Sequence, residues 1–268
     1  MFLGINLYSI DFFSEILFLN LSSIYPIVVN TIPKTNIKNA NDFIYYRNII
    51  IIIIIIFIYT MNTCKKPLYN RNRLKFKKLT KKFKKNNYII YKKNILPKKL
   101  FQKIVNITND YKNELKTDNF TKSRYGLHIP KKSKIYSIIY SKKFKSMIEK
   151  IVNTKLEYSD FPIEYRLYPE NSDGMPWHSD LKLYTKPQYE LVFTIMNNSD
   201  SKTVWKKDNK QKDICTEPNS LIIVRANAAE HKVTPLYNGE RSILKFIYAP
   251  KLAKVNEEKI KQEFKRYD

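Results

Sequence analysis

Two short segments decide how this sequence is interpreted: WHSD at residues 177–180 and HKVTPLYNGER at residues 231–241. The chain has three histidines, and these segments contain two of them. His178 is followed two positions later by the carboxylate of Asp180, and residues i and i+2 of a β-strand lie on the same face. An extended segment over Met175–Leu183 therefore directs both side chains toward one metal ion.

His231 is the candidate for a third ligand, because fifty residues lie between it and Asp180, which is enough chain for several strands to run away and return. Two imidazoles and one carboxylate on one side of a metal ion form the facial triad of non-haem Fe(II) oxygenases, which leaves coordination positions open. A closed set of four ligands would instead indicate structural zinc. Each part of the pattern is weak alone, and the combination carries the interpretation.

Arg241 is the candidate for binding a cosubstrate. An iron site of this type needs an electron source, usually 2-oxoglutarate, which chelates the metal through its keto acid end and needs a cation for its far carboxylate. The planar guanidinium fork matches a carboxylate. The Asn238-Gly239 turn precedes a predicted strand from Arg241, so His231 and Arg241 are predicted to lie on paired antiparallel strands facing one pocket. In so basic a chain, a solvated charge is the simple alternative.

Together the two segments resemble the catalytic core of the 2-oxoglutarate- and Fe(II)-dependent dioxygenases, in particular the prolyl 4-hydroxylase-like branch, over residues 88–250. That branch carries His-x-Asp and, later, His-x-x-x-Pro-Val-x-x-Gly-x-Lys/Arg. The resemblance implies that His178, Asp180 and His231 bind iron and that Arg241 binds the C5 carboxylate of 2-oxoglutarate. It implies Fe(II), 2-oxoglutarate and O2 as reactants, with ascorbate as an accessory reductant. The implied reaction is hydroxylation of a C–H bond, with peptidyl proline as the favoured substrate.

The same family often has a tyrosine on the strand before His-x-Asp, with its hydroxyl on the far carboxylate of 2-oxoglutarate. The resemblance implies this role for Tyr168, and Tyr165 is the second candidate. The segment Pro169–Gly174 that follows is longer than the turn usual in the family.

The strand after Arg241 leaves one question open. Strict alternation puts Arg241, Ile243 and Lys245 on one face, whereas the opposite face is the more apolar. Either a bulge shifts the register after Arg241, or Lys245 also faces the pocket.

The fold class follows from the spacing of the predicted elements. Two amphipathic helices are predicted first: one begins at Pro97 and the second spans Ile135–Asn153. Short strands follow from residue 163 to residue 249, with turn residues between some of them. This pattern predicts a mainly β protein with flanking helices: a double-stranded β-helix, that is, a jelly-roll or cupin-like barrel, buttressed by N-terminal helices. Trp177 and Trp205 are interpreted as core residues, with a place in the pocket as the alternative.

Composition divides the chain into four regions: a hydrophobic N-terminal region (1–64), a polybasic linker (65–86), the catalytic domain (87–250) and a polar C-terminal tail with little to bury (251–268). Residues 43–63 contain an unbroken run of isoleucines and predict a transmembrane anchor. A low-complexity or aggregation-prone segment is the alternative.

Charge determines the predicted location and partners. The basic cluster Lys65–Lys85 follows the anchor and favours a cytosolic catalytic domain. Translation from Met61 would remove the anchor and give a soluble cytoplasmic protein. The cluster and the net charge of +25 favour anionic partners: membrane lipid ranks equal with a plain solvated linker, and nucleic acid is a weaker option. The two cysteines, Cys64 and Cys215, argue against a disulfide framework and suit a reducing compartment.

Two rival functions stay open. One is a non-catalytic, membrane-tethered adaptor that binds lipid or nucleic acid through its basic stretch. The other is a cupin that uses another metal without 2-oxoglutarate. The segment Ser123–Pro130, which contains His128, is interpreted as a surface loop, with a substrate-gating loop as the functional alternative.

Overall fold

The computed structural model describes residues 74–267, and two antiparallel β-sheets form the framework of this part of the chain. The strands, numbered in chain order, are β1 (Ile89–Lys92), β2 (Lys116–Thr117), β3 (Tyr125–His128), β4 (Leu156–Tyr158), β5 (Glu164–Tyr168), β6 (Met175–His178), β7 (Tyr189–Asn197), β8 (Thr203–Lys207), β9 (Lys210–Ile214), β10 (Ser220–Arg225), β11 (His231–Val233) and β12 (Arg241–Pro250). The larger sheet has the order β1-β10-β7-β12-β5-β3-β2, with β4 also paired to β12. The smaller sheet has the order β6-β11-β8-β9, and residues of both sheets line one pocket.

Helices cover the face of the larger sheet that points away from the pocket. They are α1 (residues 74–85), α2 (Lys98–Asp110), α3 (Lys134–Ile139) and α4 (Lys142–Val152). A further helix, α5 (Glu257–Phe264), buries Ile260 in a separate cluster with Ile247 and Ala249 of β12. Short 3₁₀ turns lie at Lys112–Glu114 and Lys265–Tyr267. Ile104 of α2, Ile135 of α3 and Phe144 of α4 are buried in one cluster with Phe193 and Phe246 of the sheet. The apolar faces of α2, α3 and α4 therefore pack against one face of the larger sheet.

Strand β12 separates the two faces of the larger sheet residue by residue. Leu244 and Phe246 pack under the helices, whereas Arg241, Ile243 and Lys245 line the pocket. The register between β12 and β7 shifts by one residue between Ser242 and Ile243, and the extra residue lies on β7. The alternation along β12 is thus unbroken, and of the two alternatives the structure has Lys245 facing the pocket.

The second predicted helix is two helices in the structure. Ser141 interrupts it, because its side chain caps α4 by accepting a hydrogen bond from the Phe144 amide at 3.2 Å. Serine competes with the helical backbone in this way and therefore favours a helix start over a helix interior.

Segments on both sides of the predicted catalytic domain (87–250) bury side chains against it. The polybasic linker was predicted to reach residue 86, yet residues 74–85 are helical and Phe83 is 1% exposed in the main core. The C-terminal tail was predicted to bury little, yet Ile260, Arg266 and Tyr267 are all buried. In both segments a few well-spaced apolar or aromatic residues pack against the domain. The segments look solvated from their sequence because the residues around these few are polar.

The structure confirms the mainly β architecture with flanking helices, in a jelly-roll-like arrangement. The predicted anchor at residues 43–63 and the first part of the basic cluster, residues 65–73, lie outside the described residues. Within residues 74–267, no helix has both the length and the apolar character needed to cross a bilayer.

Candidate metal and cosubstrate site

Three potential metal ligands meet in the pocket between the two sheets. His178, Asp180 and His231 each offer a ligand atom, and these atoms all lie within 4.8 Å of one another. Nε2 of His178 is 4.0 Å from Oδ1 of Asp180, and Nε2 of His231 is 3.7 Å from Oδ2 of the same carboxylate. Two imidazoles and one carboxylate converging in this way form a donor set that fits a non-haem iron ion.

Strand pairing brings the two imidazoles together. His231 and His178 are direct cross-strand partners on β11 and β6, and their ring centroids are 4.3 Å apart. The Nδ1 atom of His178 is 2.9 Å from the carbonyl of Pro176, and the Nδ1 atom of His231 is 2.9 Å from the carbonyl of Ala229. Because a carbonyl only accepts, Nδ1 donates in both residues and Nε2 keeps its lone pair for a metal.

The charge state of His178 also suits a metal ligand. Burial, and then the nearby imidazole of His231, lower the pKa of His178 to about 4. Its ring is therefore neutral at neutral pH, the form in which imidazole binds a metal.

Asp180 reaches the site in a different way from the one predicted. Strand β6 ends at His178, so Asp180 lies beyond the strand and not on its face. Its backbone carbonyl accepts a hydrogen bond from the Asn227 amide at 3.0 Å, which ties the segment after β6 to the turn before β11. The prediction that both side chains meet is correct, and the prediction that strand geometry brings them together is wrong.

The two sheets place Arg241 in the same pocket, which has a volume of about 370 Å³. Strand β11 pairs with β6 and β8, and β12 pairs with β4, β5 and β7. The predicted pairing of the His231 and Arg241 strands is therefore wrong. The turn between them carries the chain from one sheet to the other, with Gly239 at a φ of 73°.

Arg241 is a buried cation with donors left over. Its side chain is 1% exposed, and Nη2 donates to Oγ1 of Thr203 at 3.0 Å. Nε and Nη1 have no hydrogen-bond partner among the described residues, and no carboxylate of residues 74–267 pairs with the guanidinium. Such a group is costly to bury alone. Two free N–H groups on a planar fork fit an incoming carboxylate.

Tyr168 lies beside Arg241 and also lines the pocket. The two residues are cross-strand partners on β5 and β12, and the guanidinium carbon of Arg241 is 6.0 Å from the centre of the tyrosine ring. The hydroxyl of Tyr168 accepts a hydrogen bond from Nη1 of Arg124 at 3.0 Å, so its own proton is left to donate. Tyr165 packs in the core under the helices and does not line the pocket.

Electrostatics favour a polarised hydroxyl on Tyr168. Burial raises the pKa of Tyr168, but the guanidinium groups of Arg124, Arg166 and Arg241 outweigh this and leave it below its ordinary value. A hydroxyl polarised in this way is a strong donor to an anion.

Sequence reasoning missed Arg124, which was treated only as part of a loop. Its side chain is completely buried, Nε donates to Oδ2 of Asp118 at 2.9 Å, and Nη1 holds Tyr168. The carboxylate of Asp118 also accepts hydrogen bonds from the amides of Phe120 and Thr121. The turn signal of Asp118-Asn119 is the one sequence feature that places the two charges near each other.

A buried ion pair also lines the pocket. Nζ of Lys245 is 2.6 Å from Oε2 of Glu190, and both side chains line the cavity. Oε1 of Glu190 accepts a hydrogen bond from Gln188 at 3.1 Å. Lys245 is thus neutralised by a carboxylate of the chain itself, in contrast to Arg241.

The remaining sequence candidates lie elsewhere. His128 belongs to strand β3, with its ring 5.1 Å from that of Tyr267, and it does not line the pocket. The surface-loop and gating interpretations are therefore both wrong for it. Trp205 is a core residue as predicted. Trp177 is partly exposed and lies outside the described core clusters, so the prediction of core packing is wrong there.

The comparisons with known proteins point to one fold. No family model and no curated protein matches the sequence. A 2OG-Fe(II) oxygenase family oxidoreductase from Burkholderia pseudomallei superimposes with a TM-score of 0.53 at 11% identity, over 65% of this chain and 89% of that one.

Two prolyl hydroxylases are similar as well. A prolyl-4-hydroxylase from Pseudomonas putida has a TM-score of 0.54 at 14% identity, over 66% of this chain and 99% of that one. A prolyl hydroxylase from Trichoplax adhaerens was solved in complex with a hypoxia inducible factor oxygen degradation domain peptide fragment. It has a TM-score of 0.56 at 14% identity, over 73% of this chain and 95% of that one. The chain therefore has the fold of the 2-oxoglutarate- and Fe(II)-dependent oxygenases, which these prolyl hydroxylases share.

Proposed function

We propose that this protein is a 2-oxoglutarate- and Fe(II)-dependent dioxygenase that hydroxylates a C–H bond of its substrate. One observation carries the proposal: a cluster of two histidines and one aspartate shares a buried pocket with an arginine whose Nε and Nη1 have no partner among residues 74–267. In the overall reaction, O2 supplies one oxygen atom to the new hydroxyl group and one to succinate, and 2-oxoglutarate loses CO2. The fold similarity supports the same reaction class.

The residues present fit both groups. His178, Asp180 and His231 would hold Fe(II), and Arg241 with the Tyr168 hydroxyl would hold the far carboxylate of 2-oxoglutarate. Bound iron and 2-oxoglutarate supply the oxidising power, which no amino acid side chain has. Ascorbate as an accessory reductant stays a prediction.

The chain itself contributes position and charge. The carbonyls of Pro176 and Ala229 fix the imidazole orientations, and Thr203 fixes one edge of the Arg241 guanidinium. The walls of the pocket keep the Arg241 guanidinium away from water, which strengthens its electrostatic interaction with an anion. Geometry of this kind must be set before a substrate arrives, because ordering side chains during the reaction would cost entropy.

The substrate is assigned less directly. Peptidyl proline is our favoured candidate, and two structural neighbours are prolyl hydroxylases, one of them solved with a peptide fragment. At 14% identity the fold does not determine which molecule is hydroxylated. Proline-containing peptides are therefore the first substrates to test.

The proposal is tested by iron binding and by succinate formation in the full chain. Asp180→Asn keeps the shape of the side chain and removes its charge, so this variant should bind Fe(II) weakly and form no succinate. Asp213→Asn is the matched control, because Asp213 is an exposed carboxylate paired with Lys202 at 3.2 Å. The control should behave as the wild type does. Undiminished iron binding and succinate formation in Asp180→Asn would overturn the assignment.

A further inference from the structure

A second cleft, of about 790 Å³, opens beside the pocket. Its charged lining consists of Lys84 and Lys85 from the end of α1, Lys206 and Lys207 from the end of β8, and the acids Asp208 and Glu230. Cations thus outnumber anions by two to one in this lining. A concave surface with excess positive charge attracts anionic ligands.

The charges in this cleft are available to a ligand. Lys206 pairs with Glu230 at 2.9 Å, and the two side chains are 48% and 42% exposed. Lys207 pairs with Asp208 at 3.1 Å; the carboxylate is 80% exposed and the lysine 13%. An exposed pair such as Lys206–Glu230 contributes little stability, so Lys206 can exchange its carboxylate for a phosphate. Neither Lys84 nor Lys85 forms an ion pair within the described part of the chain.

An aromatic side chain adjoins the cleft. Trp177 is partly exposed on β6, with the ammonium groups of Lys206 and Lys232 at 4.8 and 5.0 Å from its ring centre. Lys206 also lines the cleft, so the tryptophan lies next to the cleft. A partly exposed tryptophan among lysines combines a stacking surface with cations for a phosphate backbone.

The cleft and the pocket share a wall. Ser179, between the ligands His178 and Asp180, lines both cavities. A chain-like ligand that follows the cleft would therefore pass the mouth of the pocket.

We infer that this cleft binds single-stranded nucleic acid, with the lysines on the phosphates and a base stacked on Trp177. A single strand is required because its bases are free to stack on a side chain, whereas those of a duplex are not. An acidic peptide would satisfy the lysines and leave the tryptophan unused, and a membrane surface does not enter a concave cleft. Binding of this kind needs neither iron nor 2-oxoglutarate, so the inference goes beyond the proposed function and can fail separately from it.

The charge contribution is tested by titrating a fluorescein-labelled oligothymidylate with the full chain at several salt concentrations. The wild type should bind with an affinity that falls steeply as salt rises. The double variants Lys84→Glu/Lys85→Glu and Lys206→Glu/Lys207→Glu should each weaken binding about tenfold or more and flatten the salt dependence. The matched control, Lys131→Glu/Lys132→Glu, makes the same charge change at two exposed lysines outside the cleft. An equal loss in the control would show non-specific attraction and overturn the inference.

The stacking contribution is tested by tryptophan fluorescence. The chain has two tryptophans, and Trp205 is 8% exposed within the core. The oligonucleotide should therefore quench mainly Trp177 in the wild type, and Trp177→Ala should bind the labelled oligonucleotide about tenfold more weakly, because one stacked base is lost. An unchanged affinity in Trp177→Ala would overturn the stacking part of the inference.

Two competing ligands complete the design: polyglutamate, and vesicles of phosphatidylserine and phosphatidylcholine. Either would overturn the inference if it bound more tightly than the oligonucleotide through the same lysines. Absence of oligonucleotide binding by the folded wild-type chain would overturn it as well.

Discussion

At the scale of single residues, Tyr168 lies on the face of β5 that lines the pocket, whereas Tyr165 lies on the face that packs in the core. We predict that Tyr168→Phe raises the Kd for 2-oxoglutarate about tenfold, because one hydrogen bond to a carboxylate contributes roughly 1.5 kcal/mol. Iron affinity should not change, since Tyr168 is not among the clustered ligands. The measurement is a titration with 2-oxoglutarate in the presence of Fe(II) and without O2.

Tyr165→Phe is the control for that titration. Tyr165 is three positions away on the same strand and points into the core under the helices. It should leave the Kd for 2-oxoglutarate at the wild-type value. Equal effects of the two substitutions would contradict the assignment of Tyr168.

A second residue-scale prediction concerns Glu164, a buried carboxylate on β5. Burial raises its pKa, but the charges of Arg166, Lys245 and Arg266 outweigh this and lower it to about 2 from the ordinary 4.5. A lowered pKa means that Glu164 stabilises the fold above about pH 4.5, and that this contribution is lost as the pH falls through about 2. The contribution near neutral pH is on the order of 3 kcal/mol.

The test compares the free energy of unfolding in urea for wild type and Glu164→Gln across that pH range. The wild type should be the more stable near neutral pH, and the difference should shrink as the pH approaches 2. Glu170→Gln makes the same change at an exposed glutamate six residues further along the chain and should show no such trend. A difference that stays constant with pH would contradict the account of Glu164.

At the scale of elements, the C-terminal segment is part of the domain. The hydroxyl of Tyr267 donates to Oε2 of Glu164 at 2.9 Å, and a Cβ on Gly126 of β3 would lie 2.5 Å from that hydroxyl oxygen. We predict that Gly126→Ala displaces the Tyr267 ring and lowers the free energy of unfolding by roughly 1–3 kcal/mol. Thermal unfolding of the variant measures this loss.

A double-mutant cycle identifies the cause of that loss. In the Tyr267→Ala background the ring is absent, so Gly126→Ala should cost little further stability. An equal cost in both backgrounds would show that the substitution acts on β3 itself and not through the C-terminal segment.

The site was more predictable from the sequence than the connections around it. The motif places His178 and Asp180 two residues apart, so their meeting needs only local geometry. The pairing of β11 with β6 and β8, and of β12 with β5 and β7, depends on long-range contacts that residue spacing does not encode. The same limit applies to Arg124, whose partner Tyr168 lies forty-four positions away.

The alternation of side chains along a strand was informative where the sequence left two arrangements of β12 open. Along β12 the pattern alone put Lys245 on the face of Arg241, and the structure agrees, because the bulge lies on β7. Two segments that look solvated from their composition were misjudged from the sequence. Phe83 in the basic stretch and Tyr267 in the polar tail are among the few buried side chains there, and an average over the composition hides them.

At the scale of the whole molecule, the membrane anchor stays a prediction. If residues 43–63 cross the bilayer, the full chain should stay with membranes after alkaline carbonate extraction. A chain that starts at Met61 should appear in the soluble fraction. Release of the full chain by carbonate would contradict the predicted anchor.

The central claim is that one pocket binds iron and 2-oxoglutarate together, with Arg241 on the far carboxylate. The most direct test is an anaerobic titration of the full chain with Fe(II) and 2-oxoglutarate, followed by the visible metal-to-ligand charge-transfer band. The band should appear in the wild type and in Arg225→Ala, which removes an arginine outside the pocket. Arg241→Ala should need roughly a hundredfold more 2-oxoglutarate, because it loses hydrogen bonds to a charged group. No band in the folded wild type, or an unchanged titration in Arg241→Ala, would contradict the account.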